Sequence, residues 1–385
     1  MNSEREAAGK LELSKIRQEI DCIDDELINL FVKRMDCARR VAEVKREYEL
    51  PVLNSGREKE IIDKVKAKSG DMGEFTAELF KDLMMVSRAY QNSLLKRKKN
   101  ISEILSNAKS SIDKNKVIYC QGVEGAYSHR AALKFFGNES DIHFSKSFAG
   151  VFEKIDKGIG EYGVVPLENS TAGSVSEVYG LLIKYKFFLL GCVNVSISHC
   201  LCAKTDDISK ITKVISHEQA LMQCKDFIKN QNFTPITFSN TAAAAKSVSE
   251  SEDETIAAIC SKEAAEKYGL KILGENIQDN KYNHTRFAVF SKTPIITEGA
   301  DKISLCFNLP NRPGALAEIL TKFSAKGINL CKIESRPIAG TEFEYIFYTD
   351  CTGSVMETEI LDALEALDSE VEAFTFLGNY KEIMA

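Results

Sequence analysis

The run from Leu11 to Leu50 constrains this chain most, because it contains neither glycine nor proline. Apolar side chains recur in it at intervals of mostly three and four residues, which predicts one amphipathic helix ending before Pro51. At 1.5 Å per residue this helix would be about 60 Å long, more than the diameter of a 100-residue globule. We therefore expect a second copy of the chain to cover its apolar stripe. The stripe consists of Leu13, Ile16, Ile20, Ile23, Leu27, Leu30, Val41 and Val44.

Two cations share the apolar face of this helix. Arg34 lies seven residues after Leu27, and Lys45 lies 11 residues after Arg34, which is three full turns. Their side chains begin about 16 Å apart and can converge on a small anion. Arg17 lies about 25 Å from Arg34 on the same rod, so it can reach that anion only from a second chain. Taken singly, each charge is also what a solvated helix face carries.

Further helices follow within residues 1–100. Ser55-Gly-Arg-Glu58 has the pattern of a capping box and predicts a second helix that ends near Lys68. A third helix is predicted from Phe75 to about Leu95 by the same periodicity. The N-terminal block is therefore expected to be an all-helical domain.

The remainder divides into a linker and two more domains. The charged and polar residues 101–115 are typical of a linker. Within residues 116–293 short apolar runs alternate with helical ones, which indicates an α/β architecture. Residues 300–385 show the order strand, helix, strand, strand, helix, strand, and this βαββαβ order predicts a ferredoxin-like module.

Composition excludes several classes of protein. Hydrophobic residues at 44% and charged residues at 28% are typical of globular domains, and the formal charge of −6 gives no general attraction for nucleic acid or acidic lipid. No signal peptide or apolar membrane span is evident, so we expect a cytoplasmic protein. The 11 cysteines are scattered without zinc-finger spacing, so we expect neither a metal nor a cofactor.

Five motifs of the helical block, KIRQEID, LFVKRM, EVKREYELPV, SGREKEII and SRAYQ, form a recognisable series. Together they resemble the chorismate mutase domain of the bifunctional chorismate mutase/prephenate dehydratases. The resemblance implies that the cations holding the substrate are Arg17, Arg34, Lys45 and Arg57. It implies contacts to the ether oxygen and hydroxyl from Lys45, Glu58, Ser87 and Gln91. Asn54 stands where that family usually has an aspartate, and the difference is expected to affect helix capping alone.

These residue types suit the mutase reaction. Chorismate is a dicarboxylate that rearranges to prephenate without a covalent intermediate, so the protein must hold a compact conformer and stabilise charge on the breaking ether. Arginines can bind the carboxylates in a bidentate manner. Lys45 and Gln91 can donate hydrogen bonds to the ether oxygen, and Glu58 can accept one from the ring hydroxyl.

In the middle block, GVEGAYS, VPLENSTAG, SHEQALMQC and NHTRF occur in the order found in the prephenate dehydratase domain of the same family. The resemblance identifies Thr285 as the threonine required for catalysis and leaves His284 without an assigned role. Taken singly, Ser216 and Thr241 are more typical of helix caps. The residues implied to bind substrate are Ser128, Glu168, Asn169, Ser170, Thr171, Ser216, Gln219, Gln223, Thr241, Arg286 and Phe287.

An uncharged threonine suits this second reaction. Prephenate loses its ring carboxylate as CO2 and its C4 hydroxyl as water, so the site needs a hydrogen-bond donor for the hydroxyl and no strong cation at the ring carboxylate. Thr285 can be that donor. Asn169 and Gln223 can orient the substrate, and Arg286 can hold a carboxylate or a structural carbonyl. The resemblance implies two α/β lobes with the site in the cleft between them.

The C-terminal module carries NRPGAL and ESRP, which resemble the ACT regulatory domain of this family. The resemblance implies feedback inhibition by phenylalanine. We expect that deleting residues 300–385 leaves a dehydratase that phenylalanine does not inhibit. Backbone N–H groups at the helix start suit the carboxylate of the amino acid. The residues implied to bind it are Asn311, Gly314, Ala315, Leu316, Glu334, Ser335, Arg336 and Pro337.

The sequence thus predicts a bifunctional enzyme that acts on chorismate and prephenate, binds phenylalanine, and forms a homodimer or a higher homo-oligomer. One alternative is a dehydratase whose mutase domain is inactive and serves dimerisation or regulation. Another is a non-catalytic sensor, because solute-binding proteins also place two α/β lobes around a cleft. Fold alone does not separate these hypotheses.

Overall fold

The structure, a computed structural model, describes residues 2–48, 50, 52, 54–94, 100–309, 313–337 and 345–384. The helices are α1 Asn2–Glu47, α2 Ser55–Lys68, α3 Gly73–Leu94, α4 Asn100–Ser106, α5 Tyr127–Phe136, α6 Phe148–Asp156, α7 Ser176–Tyr185, α8 Glu218–Gln223, α9 Lys225–Asn230, α10 Thr241–Glu250, α11 Lys262–Lys267, α12 Ala315–Ala325 and α13 Thr358–Glu370. The strands are β1 Ile118–Gln121, β2 Ile142–Ser145, β3 Tyr162–Asn169, β4 Gly173–Ser174, β5 Phe188–Ser196, β6 Cys200–Ala203, β7 Lys213–Ser216, β8 Thr234–Thr237, β9 Ile256–Cys260, β10 Lys271–Gly274, β11 His284–Ser291, β12 Lys302–Leu309, β13 Leu330–Pro337, β14 Tyr345–Thr352 and β15 Glu372–Met384.

These elements form two compact units, of which the first contains α1, α2, α3, α12 and most of α13. The N-terminal block is helical, as predicted, and α1 is one continuous helix. Ala38 and Ala42 on its C-terminal half are buried, and small side chains there allow α1 and α3 to pack closely. The other half of α1 differs, because every side chain from residue 9 to residue 33 is exposed.

The start of α2 differs from the predicted capping box. Asn54 is the N-cap, and its side-chain oxygen accepts a hydrogen bond from the backbone N–H of Arg57 at 3.0 Å. Ser55 therefore lies inside the first turn. An asparagine satisfies this N–H as well as an aspartate does. This agrees with the expectation that Asn54 serves helix capping.

The second unit contains all the described strands, which form two sheets. One sheet has the order β10-β6-β9-β7-β8, and the other has the order β13-β14-β12-β15-β5-β11-β3-β1-β2, with β4 added beside β3. Helices α5 to α7 pack on the larger sheet, and α8, α10 and α11 pack on the smaller one. Two lobes of the predicted α/β type result. The chain crosses from one lobe to the other between β5 and β6 and returns between β10 and β11.

The C-terminal block has the predicted βαββαβ element order, with its strands arranged β13-β14-β12-β15. Its last strand, however, also pairs in parallel with β5, from Lys381 opposite Gly191 to Met384 opposite Asn194. Gly378 has a φ of 150°, and a Cβ atom there would overlap the carbonyl oxygen of Leu189. Glycine is therefore required where the two strands meet. The C-terminal block therefore shares a sheet with the dehydratase strands.

Strand β11 lies between β3 and β5, and the polar run at its start belongs to the strand. Because successive side chains alternate between the two faces, Thr285 and Phe287 face one way and Arg286 faces the other. Pro166 on β3 has no N–H to donate, and the register between β3 and β11 shifts beside it, between Arg286 and Phe287. Thr285 stands directly opposite Asn169.

The segment predicted as a linker contains α4. Its residue Ile101 is buried, and Lys109 forms an isolated parallel bridge with Ile295. These contacts fix part of residues 101–115 against the second unit. Within the described residues, no helix is sufficiently long and apolar to cross a membrane.

Candidate active sites

The second unit contains a cavity of about 370 Å³ where its two lobes meet. Both lobes contribute side chains to it. Of the predicted substrate residues, those that line it are Ser128, Asn169, Gln219, Gln223, Thr241, Thr285 and Phe287. The described lining residues do not include Glu168, Ser170, Thr171, Ser216 or Arg286.

Thr285 and Asn169 form the polar centre of this cavity. The side-chain nitrogen of Asn169 donates hydrogen bonds to Thr285 Oγ1 at 2.9 Å and to Asn283 Oδ1 at 2.8 Å. Its oxygen accepts from the backbone N–H groups of Thr171 at 3.0 Å and Ala172 at 2.9 Å, which fixes the amide orientation. The hydrogen bond from Asn169 orients the Thr285 hydroxyl, and no described residue accepts its proton, so the proton can be donated to an acceptor in the cavity.

The cavity wall is polar but lacks the acidic and basic side chains that carry a full charge at neutral pH. Among the described residues that line it there is no Lys, Arg, Asp or Glu. His199 is one of two lining histidines, and burial lowers its pKa, although the hydrogen bond with Gln223 acts in the opposite direction. His199 is therefore neutral at neutral pH. A neutral, partly apolar cavity favours loss of charge from a bound carboxylate.

Arg286 lies on the opposite face of β11 and does not reach the cavity. Its guanidinium Nη1 is 2.6 Å from Asp350 Oδ2, its Nε is 2.9 Å from Glu382 Oε1, and its Nη2 donates to Tyr380 Oη at 2.6 Å. These partners belong to β14 and β15. The alternation of β11 therefore commits Arg286 to the C-terminal strands, and the geometry gives no support for a contact with substrate.

Glu168 is directed to the same side as Arg286. Its carboxylate is 2.8 Å from Lys332 Nζ on β13 and 3.8 Å from Arg286 Nη1. As the neighbour of Asn169 on a strand, it faces away from the cavity by the same alternation. It joins the dehydratase strand to the C-terminal strands.

The remaining predicted residues outside the cavity have structural contacts. Ser170 accepts a hydrogen bond from the backbone N–H of His284 at 3.0 Å, and the buried Ser216 hydroxyl donates to the carbonyl of Ile259 at 2.6 Å. Neither Ser216 nor Thr241 caps a helix. The caps are the adjacent residues His217 for α8 and Asn240 for α10.

Tyr127 and His199 are among the lining residues that were not predicted from the sequence. Tyr127 belongs to the motif GVEGAYS, so its position was available as a signal. His199 stands at the entry to the apolar run of β6, and only the crossover between the lobes brings it to the cavity. Nothing in its local sequence distinguishes it from an ordinary polar strand entry.

The first unit brings together five of the predicted mutase residues. Arg34 donates to the backbone carbonyl of Leu83 at 3.0 Å and to the Ser87 hydroxyl, and Ser87 is buried. Burial lowers the pKa of Arg34. Lys45 donates to the carbonyl of Val52 at 2.5 Å. Its pKa is lowered by burial and raised in part by the nearby Glu58 carboxylate.

Glu58 and Gln91 complete this group, whereas Arg57 does not join it. Glu58 forms an ion pair with Arg88, whose Nη2 is 3.6 Å from Glu318 on α12. Gln91 is buried, and its Oε1 has no partner among the described residues. Arg57 is exposed, and its Nη1 is 2.9 Å from Glu60 Oε2 on the same helix.

Arg17 does not meet the other mutase residues within one chain. It lies in the exposed half of α1, in a continuous helix that carries it about 25 Å from Arg34. The apolar residues around it are also exposed, including Ile16, Ile20 and Ile23 at 49%, 49% and 56%. A long exposed apolar stripe is typical of a surface that a partner covers.

The predicted effector residues are only partly described, because Asn311 lies outside the described residues. Gly314 has a φ of 82° and precedes α12, with Ala315 buried and Leu316 half-buried. Gly314 also lines a second cavity, of about 590 Å³, in the first unit. Leu316 and Gly314 thus stand at a helix start, as predicted.

The second effector motif lies on β13, where alternate side chains have different surroundings. Glu334 accepts a hydrogen bond from Ser174 and forms ion pairs with Arg336 and Lys332, so its pKa is lowered although burial raises it. Ser335 and Pro337 are on the exposed face of the strand. Glu334 is therefore held against the turn that follows Asn169.

Three family models match this chain. They are described as "Chorismate mutase type II" for residues 16–92, "Prephenate dehydratase" for residues 118–295 and "ACT domain" for residues 304–369. The bifunctional chorismate mutase/prephenate dehydratase of Aquifex aeolicus is 33% identical over 376 residues, which cover 97% of this chain and 99% of the relative.

Two solved structures resemble the region without the mutase domain. The prephenate dehydratase of Arthrobacter aurescens in complex with L-Phe is 29% identical with a TM-score of 0.63, covering 69% of this chain and 90% of that chain. A structure described as a quorum quenching acylase is 28% identical with a TM-score of 0.62, covering 69% and 97%.

The matches define a chain with two enzyme domains followed by an ACT domain. The chain belongs to the bifunctional chorismate mutase/prephenate dehydratases, whose members it matches along nearly its whole length. It is an isomerase and a lyase of aromatic amino acid biosynthesis that converts chorismate to prephenate and prephenate to phenylpyruvate. The prediction of a bifunctional enzyme is confirmed.

Proposed function

We propose that the cavity around Thr285 is the site at which prephenate is decarboxylated and dehydrated. One observation carries this proposal: the Thr285 hydroxyl accepts a hydrogen bond from Asn169 within a cavity whose described lining residues include no Lys, Arg, Asp or Glu. The first feature supplies a directed proton for the departing hydroxyl. The second leaves the ring carboxylate without a cation that would stabilise it before CO2 is lost.

The proposed mechanism uses four groups of the cavity. Thr285 donates to the C4 hydroxyl as its bond to carbon lengthens, while Asn169 keeps the threonine oxygen occupied as an acceptor. The N-terminus of α10, with Thr241 in the cavity wall, and the amide of Gln223 bind the carboxylate that the product keeps. Aromatisation of the ring then drives the loss of CO2 and water together.

Replacement of Thr285 tests the dehydratase proposal. Thr285→Ala should lower kcat for phenylpyruvate formation by about 10² to 10⁴, because a positioned proton donor contributes that much. The same variant should still convert chorismate and accumulate prephenate, since the mutase residues lie in the other unit. Thr285→Ser should retain much of the activity. A near-parental rate for Thr285→Ala would exclude this role.

For the mutase, we propose an active site that two chains share. Arg34, Lys45, Glu58, Ser87 and Gln91 come from one chain, and Arg17 comes from the exposed half of α1 in a second copy. This arrangement uses both the separation along α1 and its exposed apolar stripe. It also implies at least a homodimer. A working mutase distinguishes it from the alternative of an inactive helical domain.

We further propose that phenylalanine binds the C-terminal domain and inhibits the dehydratase. The solved Arthrobacter aurescens relative contains L-Phe, which supports this ligand class. Glu334 contacts Ser174, and Lys332 contacts Glu168, the neighbour of Asn169. A ligand that takes up Glu334 with its ammonium group would release this contact beside the catalytic pair. A coupling free energy of about 1 to 3 kcal/mol would be ordinary.

Two coarser proposals accompany these. We place the three domains at residues 1–100, 116–293 and 300–385. The matched ranges 16–92 and 304–369 lie within the first and third of these, and the match at 118–295 differs from the second by two residues at each end. A cytoplasmic location agrees with the 11 cysteines, all of which are free thiols.

A further inference from the structure

His199 stands at the point where the chain leaves the larger sheet for the smaller one, between β5 and β6. It is 2% exposed, and it lines the cavity around Thr285. Its backbone N–H donates to Gln278 Oε1 at 2.9 Å, and its carbonyl accepts from the N–H of Ile277 at 3.0 Å. Both partners belong to the returning crossover. The imidazole is therefore held at a fixed place in the cavity wall.

The contacts of the ring determine which nitrogen carries its proton. His199 Nε2 is 3.0 Å from Gln223 Oε1, and an amide oxygen can only accept, so Nε2 is the donor. On the other side, the Tyr127 hydroxyl donates to the carbonyl of Ser198 at 2.6 Å and is 3.4 Å from His199 Nδ1. The single proton of that hydroxyl is already given to Ser198, so the 3.4 Å contact does not assign Nδ1. Burial lowers the pKa of the ring, which favours the neutral form protonated at Nε2.

This hydrogen bond also fixes the orientation of the Gln223 amide. With Oε1 bound to His199, the amide nitrogen is directed elsewhere, and it has no acceptor among the described residues. A half-turn of the amide would present the oxygen to the cavity instead. An oxygen in that position would repel a bound carboxylate, whereas the nitrogen donates to it. The orientation of one side chain therefore decides whether Gln223 attracts or repels the substrate.

We propose that His199 is a positioning residue for prephenate dehydration: its Nε2–H holds the Gln223 carbonyl and thereby directs the Gln223 amide nitrogen at the carboxylate that the product keeps. This inference rests on the proposed function of the cavity. An anchoring contact of this kind is made equally in the ground state and the transition state, so its loss raises KM more than it lowers kcat.

Two amide replacements of His199 separate positioning from mere space filling. In His199→Gln the side-chain nitrogen reaches the place of Nε2 and can still donate to Gln223. In His199→Asn it reaches only the place of Nδ1. We expect KM for prephenate to rise about tenfold to a hundredfold in His199→Asn, because that is the contribution of one hydrogen bond to a charged group. In His199→Gln we expect KM to stay near the parental value. Thermal unfolding followed by circular dichroism verifies that each variant is folded.

A double-mutant cycle then tests whether His199 acts through Gln223. Gln223→Leu should raise KM by a similar factor, and adding His199→Asn to it should change KM little further, because the group being positioned is already absent. Gln223→Glu keeps an acceptor for His199 but offers no donor, so it should raise KM as well. His143→Asn, a change of an exposed histidine on β2, serves as the matched control, with mutase activity as the internal one.

The outcomes decide the proposal as follows. Equal KM values for His199→Asn and the parent, equal defects in His199→Asn and His199→Gln, or full additivity with Gln223→Leu would each overturn it. If His199→Asn does not fold, a parental KM in His199→Gln together with a raised KM in Gln223→Glu supports it, and any other pair overturns it. Failure of the underlying dehydratase site is distinct, because Thr285→Ala would then retain activity whatever the His199 variants do.

Discussion

At the scale of the residue, the chemistry of this protein depends on what each functional side chain touches. Thr285 is an ordinary strand threonine until the hydrogen bond from Asn169 orients its hydroxyl, whose proton no described residue accepts. Lys45 is a helix-surface lysine until burial and Glu58 adjust its pKa in opposite directions. Neither effect can be obtained from the identity of the residue alone.

Lys45 gives a prediction for the pH dependence of the mutase. Burial is the larger influence and lowers the pKa of Lys45 below its usual 10.5. Lys45 supplies a positive charge to the ether oxygen only when it is protonated, so kcat/KM should fall as the pH rises through this lowered pKa. Glu58→Gln removes the charge that raises the pKa. The alkaline limb of its pH profile should therefore move to lower pH.

The matched control for this experiment is Glu60→Gln, which removes an exposed carboxylate from the same helix. Its alkaline limb should coincide with that of the parent, whatever its absolute rate. A limb for Glu58→Gln that stays in place or moves to higher pH would contradict the assignment of Lys45 as the titrating donor.

At the scale of the element, β11 serves two purposes because its side chains alternate between two faces. Thr285 faces the cavity, and its neighbour Arg286 faces the C-terminal strands, where Asp350 and Glu382 surround it. Sequence adjacency therefore joins two residues with separate roles. The helix α1 shows a similar division along its length, because one half packs on α3 and the other half is exposed.

The division of β11 predicts that substitutions at two adjacent positions have very different effects on the free energy of unfolding. Arg286→Gln leaves the buried carboxylate of Asp350 without its cation, whereas the half-buried Glu382 keeps Lys302, so the free energy of unfolding should fall by about 3 to 5 kcal/mol. Thr285→Ser should change it by no more than about 1 kcal/mol. Because the chain contains no Trp, denaturant unfolding should be followed by circular dichroism.

Lys292→Gln provides the control for Arg286. Lys292 follows β11 directly and also pairs with a carboxylate, Asp156 at 3.1 Å, but both side chains are largely exposed. Loss of such a surface pair should cost no more than about 1 kcal/mol. Equal destabilisation by Arg286→Gln and Lys292→Gln would show that burial of the Arg286 cluster contributes nothing.

At the scale of the whole molecule, two features join parts that the sequence presents as separate. Strand β15 continues the dehydratase sheet through β5, so the C-terminal domain is part of the same sheet. The exposed half of α1 provides the surface that the proposed dimer would bury. Regulation and mutase catalysis are therefore best tested on the full chain.

The shared mutase site predicts complementation between two inactive variants. When Arg17→Ala and Lys45→Ala proteins exchange subunits, each mixed dimer should contain one intact site and one doubly defective site. A statistical mixture should recover about a quarter of the parental mutase activity. Arg34→Ala mixed with Lys45→Ala is the control and should recover none, because one chain supplies both residues. If subunit exchange is demonstrated without recovery in the first mixture, the site is not shared.

Phenylalanine inhibition gives the second prediction at this scale. Glu334→Gln keeps the shape of the side chain but removes the charge proposed to bind the ammonium group. The dissociation constant of phenylalanine for the full-length variant, measured by calorimetry, should rise by at least about tenfold. Inhibition of the dehydratase should weaken in parallel. Ile333→Val, on the exposed face of the same strand, should leave both unchanged. Unaltered inhibition of Glu334→Gln would place the effector elsewhere.

The sequence by itself determined the features that depend on local patterns. Apolar spacing in α1, the strand and helix alternation of the middle block, and the βαββαβ order at the C-terminus all follow from side-chain periodicity, which needs no knowledge of distant contacts. The motif around Thr285 is also local in sequence, and its resemblance to the prephenate dehydratase family made it recognisable. Gly378 also stands in the sequence, but only the approach of the Leu189 carbonyl explains why it is required.

Only the tertiary structure decided which predicted residues meet. Arg286 and Glu168 belong to site motifs, yet strand alternation directs both to the C-terminal strands, and β15 became part of the dehydratase sheet through a pairing that no local pattern encodes. His199 reaches the cavity because two crossovers hold its backbone there. The physical reason is common to all of these residues: strand pairing and lobe packing are long-range contacts, and their partners lie tens to hundreds of residues away in the chain.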